Sequence, residues 1–290
     1  MNIITKDKTI YAMCADNPPA LTVTAGSRII FETLDALSGQ ITNENDAFDG
    51  LDWNRVNPAT GPLYVQGAEV GDVLSVTIEK IEIADRGVVL CGKDMGALGH
   101  LFDKSHTKIL PIADGRVIFS DEIDFPVNKM VGVIGVAPEK SLGAISCGVP
   151  CAHGGNLDCK KITEGATLLL PVNVPGALLA LGDLHAAMAD GEIGVSGLEV
   201  EGRVTVTVDV LKNANLPTPM LRNATHIMTL ASHEDLDIAV DMSVENMAKY
   251  LMAEKGMSLA DATMLISLTG NVRICQVVDP KKTARVEMTL

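Results

Sequence analysis

The stretch Val204–Val210 reads VTVTVDV, and its alternation constrains the backbone more tightly than anything else in the chain. Val204, Val206, Val208 and Val210 share one face of an extended strand, whereas a helix would scatter them around its axis. The segment DVLSVTIEKIEI, from Asp72, alternates through Leu74, Val76 and Ile78, and then its apolar phase slips to Ile81 and Ile83. A slip in a period-two pattern predicts a bulge near Glu79 and Lys80. TAGSRIIF (from Thr24), EVGDVLSV (from Glu69) and TEGATLLL (from Thr163) each set a glycine just ahead of an apolar strand. Glycine takes the positive φ of a tight turn at little cost, so these read as repeated strand entries. Together they predict a mainly β fold, sandwich- or barrel-like. Aromatic residues make up only 3% of the chain, so its core is aliphatic.

The period changes after Ser243. Val244, Met247, Ala248, Leu251 and Met252 follow helical spacing. Ser243 reads as an N-cap and Gly256 as a stop; Ser258 caps a second helix with Asp261 at N3 and Gly270 at its end. The spacing thus predicts a small helical pair over about 243–269, after which VRICQVV returns to strand. No linker or low-complexity stretch divides the chain, and residues 1–290 read as one integrated unit.

A net charge of −14 and scarce aromatics exclude a phosphate-binding or base-stacking surface, so no nucleic-acid partner is expected. The opening residues MNIITKDKTIYAM lack a basic region followed by an apolar run, and the longest apolar run carries two prolines and an asparagine. The reading is a cytoplasmic protein without a membrane span, with its six cysteines reduced. Cys147, Cys151 and Cys159 near His153 have neither knuckle spacing nor a marked nucleophile, and read first as small buried hydrophobes. No G-x-S-x-G elbow, H-E-x-x-H helix or Walker loop is present.

What stands out is a pair of polar knots, HGGNLD (His153–Asp158) and GDLHAAMADGE (Gly182–Glu192), on either side of the apolar run ATLLLPVNVPGALLAL. His153, Asn156 and Asp158 follow or flank two glycines that let backbone turn sharply. Asp183 and His185 are two apart, as are Asp190 and Glu192, so each pair shares a side of an extended segment. Imidazole and carboxylate groups are ligands for zinc or similar ions and also general acids and bases. If the apolar run folds as a hairpin about Pro171 and Pro175, both knots reach one end of a sheet. A third patch, FETLDALSGQITNEND, adds Glu32 and Asp35 at the end of a strand. For each acid or amide taken singly, a capping or turn role is the competing reading.

Several blocks in one order carry a family resemblance: FETLDALSGQI, NPATGPLYVQGAEVGDVLSVTIEKIEI, GVIGVAP, the long block HGGNLDCKKITEGATLLLPVNVPGALLALGDLHAAMADGEI, VEGRVTVTVDVL and ICQVVDP. The sequence resembles the acetamidase/formamidase family, in its compact branch. The resemblance implies a mainly β fold, a homo-oligomer (dimer or tetramer), and hydrolysis of a small-molecule amide to carboxylate and ammonia with help from a divalent metal, zinc first. It carries Glu32, Asp35, Asn156, Asp158, Asp183, His185, Asp190 and Glu192 over as site residues; at His153 some formamidase-type members carry asparagine instead. For a metal, His185 and Asp158 are the expected principal ligands, with Asp35 and His153 as additional ones. Glu192 or Glu32 is then the general base. A hydrolase of cyclic or larger amides, and a non-enzymatic metal or small-molecule binder, stay open on the same scaffold.

Overall fold

The computed structural model describes residues 2–46 and 50–289. Two large sheets, of nine and eleven strands, face each other across an aliphatic core, with two helices late in the chain. Neither sheet closes on itself among the described residues, so the fold is a sandwich rather than a barrel.

VTVTVDV lies within the strand Gly202–Leu211, between Ser27–Thr33 and Val73–Ile83 in the nine-stranded sheet. Val204, Val206 and Val208 are fully buried, as period two requires. Thr205 opposes Lys80 and Val206 opposes Ile78, which leaves Glu79 unopposed. The bulge therefore sits where the apolar phase slips. Gly26, Gly71 and Gly165 hold φ of +79°, +93° and +82° just ahead of their strands.

The apolar run between the polar knots is not a hairpin. Thr167–Pro171 pairs with Val73–Ile83 in one sheet, and Leu179–His185 pairs with Met130–Gly135 in the other. Pro171 and Pro175 cannot donate ladder hydrogen bonds, and Gly176, Ala177 and Leu178 all take positive φ, so the link turns out of one sheet and into the other. Both strands are apolar because both feed one core: Leu168 and Leu170 join Leu179 and Leu181 in the cluster that includes Phe31, Val76 and Val204.

The helices are α1 (Leu236–Lys255) and α2 (Leu259–Thr269). α2 starts at its Ser258 cap, and Gly256 ends α1 with φ +64°, as the sequence predicts. The start of α1 is a correction. Asp235, not Ser243, is the N-cap, and its carboxylate accepts from the N–H groups of Asp237 and Ile238. Ser243 lies inside the helix, buried, its hydroxyl donating to the Val240 carbonyl. The apolar stripe that begins with Ala239 already faces the sheet, where Met247 and Leu251 pack with Ile227, Val286 and Met288. No helix of the described residues is long and apolar enough to cross a membrane.

Asp235→Ala is expected to destabilise the protein by about 1 kcal/mol, the usual cost of a lost N-cap, read as a shifted urea midpoint at unchanged m-value.

Candidate active site

The strand Met130–Gly135 brings the two polar knots together. Gly154–Asn156 pairs along one edge of it and Leu179–His185 along the other, so that Val133 is opposite both Asn156 and Gly182. The knots meet across this middle strand, not at the end of a hairpin. Between them the strand carries Gly132, and the missing side chain is what makes the space. A methyl there would stand 2.5 Å from Oδ1 of Asp158 and 2.5 Å from Oδ2 of Asp183.

His185 is the hub. Its Nε2 stands 3.2 Å from Oδ1 of Asp183, 3.2 Å from Oε2 of Glu199 and 3.9 Å from Oδ1 of Asp158. Glu199 reaches it because the short strand Glu199–Val200 pairs with Leu179–His185 and sets Glu199 opposite His185. Glu192 completes the group through Gly197, whose N–H donates to Oε1 at 3.0 Å. Gly197 also lies against the imidazole: a Cβ on it would be 2.4 Å from Nδ1. Asp158, Asp183 and Glu192 hold φ of +41°, +54° and +43°. Side chains seldom adopt this left-handed backbone, and strain of this kind is held where surrounding structure over-determines it.

Four buried carboxylates thus surround one buried imidazole. No lysine or arginine among the described residues forms an ion pair with them; His185 is the only cationic partner. Burial and the neighbouring Asp183 push Asp158 up to about 7. Burial and Asp158 push Glu192 well up, and burial, joined by Asp183, does the same to Glu199. Burial would also raise Asp183, but the charge and hydrogen bond of His185 hold it below the usual carboxylate range. Burial opposes charge on His185 too, and is outweighed by Glu199 and Asp183. Both carboxylate oxygens of Asp158 and one of Glu192 have no hydrogen-bond partner, and Oε2 of Glu199 has only its contact with Nε2 of His185.

Orphaned buried oxygens around an imidazole are what a divalent cation would satisfy. The ligand atoms of Asp158, Asp183 and His185 lie within 4.8 Å of one another, and so do those of His185, Glu192 and Glu199. The residues therefore fit a metal ion. The cluster opens on a cavity of about 340 Å³, into which Asp183, Glu192, Glu199, Asn156 and Asp279 face beside an apolar wall that includes Leu37, Leu90 and Val195.

Other sequence candidates lie elsewhere. Asp35 is spent on its own turn, accepting from the N–H groups of Leu37 and Gly39, and is outside both metal-fitting groups. Glu32 pairs with Arg203 at 2.7 Å and borders a separate depression with Lys6 and Glu82. Asp190 grips the fully buried Arg285 through both oxygens, at 2.7 and 3.0 Å. Its two-residue spacing from Glu192 does not bring it to the site, because Gly191 and Glu192 both turn through positive φ. His153 is buried with an unpartnered Nε2, and burial with the charge of Lys281 lowers it to about 4, but it joins neither group. The cysteines do not converge with it either. Glu199, Gly132 and Gly197 are what sequence reasoning misses. The one local signal is that Glu199 sits between the apolar Leu198 and Val200, where period two turns it to the opposite face.

Comparison with known proteins agrees with this frame. A model of the acetamidase/formamidase family matches residues 7–146 and 143–288. The chain belongs to that family. Its structure superposes on an acetamidase from Bacillus halodurans with a TM-score of 0.97 at 45% identity, covering 99% of this chain and 97% of that one. A recombinant predicted acetamidase/formamidase from Thermoanaerobacter tengcongensis gives a TM-score of 0.97 at 48% identity, covering 99% and 95%. A formamidase of Methylophilus methylotrophus is 27% identical over a match covering 68% of this chain and 63% of that protein. The chain thus spans less than two thirds of the curated relatives it matches.

Two substitutions separate frame from site. Asp190→Ala removes the two-oxygen partner of a buried guanidinium and leaves it Glu287 at 3.4 Å; it is expected to cost about 3 kcal/mol in urea denaturation, with any divalent-metal binding by calorimetry unchanged. Gly132→Ala crowds Asp158 and Asp183, and is expected to cost about 1–3 kcal/mol and to weaken any divalent-metal binding about 10- to 100-fold.

Proposed function

We propose that this chain hydrolyses the C–N bond of short amides, of formamide or acetamide type, to a carboxylate and ammonia. The observation that carries the reading is the buried group of Asp158, Asp183, His185, Glu192 and Glu199, open to one cavity. Family membership supports the same chemistry. In this reading His185 and Asp158 are the principal metal ligands, joined by Asp183 and Glu199. Imidazole among the donors favours zinc over magnesium or calcium. The bound ion would supply a Lewis acid and lower the pKa of a bound water. Glu192, which lines the cavity, is the general base: it takes a proton as water oxygen bonds to the carbonyl carbon, and returns it to the nitrogen as the C–N bond breaks. Glu32 has no part in this reading, since it pairs with Arg203 and lines another depression.

We also read the chain as one integrated unit of the cytoplasm, since residues of both sheets share one apolar cluster. Leu259, Met264 and Leu268 lie exposed on α2 and support a homo-oligomer, dimer or tetramer. The cavity favours a second substrate reading. Its volume would hold on the order of ten waters, and Leu37, Leu90 and Val195 wall it, so larger or cyclic amides fit as well.

Ammonia release from formamide, acetamide and bulkier amides, with and without a chelator, tests the proposal. Chelator-sensitive release is expected, and His185→Ala should lose both zinc binding and at least about 100-fold in kcat/KM. Full activity of the His185→Ala protein would reject this assignment of the site.

A further inference from the structure

Asn57 faces the cavity alongside Asp183, Glu192 and Glu199. It precedes Pro58, and a proline drives the residue before it toward extended backbone. Asn57 instead holds φ of +53°. Three features keep it there. Its backbone N–H donates to the Ala36 carbonyl at 2.7 Å. Just beyond it, Ala59 pairs with Gly182, so tightly that a Cβ on Gly182 would stand 2.1 Å from the Pro58 carbonyl oxygen. Gly148 leaves room for the carboxamide, since a Cβ there would lie 3.0 Å from Nδ2 of Asn57.

The backbone alone would be served better by glycine, which takes positive φ without strain. A carboxamide held at such a place, facing the cavity, points to use of the side chain. The chemistry of the cavity says what that use is. Ionised carboxylates accept hydrogen bonds and suit the NH2 end of an amide, whereas the carbonyl oxygen needs a donor. Asn57 offers a neutral one.

We infer that Asn57 is a substrate-binding residue whose carboxamide N–H donates to the carbonyl oxygen of the amide. The hydrogen bond strengthens when water adds to the carbonyl carbon, the π pair moves onto that oxygen and the water's proton passes to a carboxylate. The inference rests on the amidase reading.

Asn57→Gly separates side chain from backbone, because it removes the donor and relieves the left-handed strain. Its thermal midpoint is expected to equal or exceed that of the parent, while kcat on acetamide falls about 100-fold or more. Asn57→Asp, with an acceptor in the same shape, is expected to lose as much. If Asn57→Gly keeps kcat within about threefold, Asn57 is only a turn residue and the inference is overturned. If the parent protein releases ammonia from no amide, the amidase reading itself fails and takes this role with it; activity in the parent tells the two failures apart.

Discussion

Buried negative charge that the protein cannot neutralise by itself is the constraint on which the site depends. Asp158, Asp183, Glu192 and Glu199 are withdrawn from water around His185, with no lysine or arginine among the described residues to pair them. Burying a carboxylate without a partner is costly, and the group can be stable only if protons or a cation supply the missing positive charge. The raised affinities of Asp158, Glu192 and Glu199 for protons are one answer. A divalent ion, which the unpartnered oxygens and the close-set ligand atoms fit, would be the other.

The surrounding fold bears this load through backbone geometry. Acids at left-handed φ, and glycines wherever a Cβ would strike a carboxylate or the imidazole, mean that the shape of the cluster is held by main chain and not by flexible side chains. Strain of this kind persists only where neighbouring structure over-determines it. Here the neighbours are the middle strand Met130–Gly135, paired on both edges, and the aliphatic core behind it. Other elements build the frame: Asp190 pairs with the buried Arg285, and the helices α1 and α2 pack against the nine-stranded sheet.

Much of the frame was legible locally. Alternation placed the Gly202–Leu211 strand, a phase slip placed the bulge at Glu79, and glycines announced three strands of one sheet. The start of α1 was not, because a serine with an apolar stripe after it resembles a cap, whereas the true cap Asp235 is distinguished only by the hydrogen bonds it makes. Asp158, Asp183, His185 and Glu192 stood out as clustered polar residues beside glycines and do converge. Asp190 stood out for the same reason and does not, since one turn of backbone sends it to Arg285.

The sequence by itself determined the strand periodicity, the aliphatic core and the family, because each is written in residues close together or in blocks of fixed order. Only the tertiary structure decided which acids share a point. Glu199 reaches His185 through strand pairing, and Gly132 matters because Asp158 and Asp183 close over it from opposite edges of one strand. Convergence of that kind depends on the register between strands distant in the chain, and no local pattern encodes it.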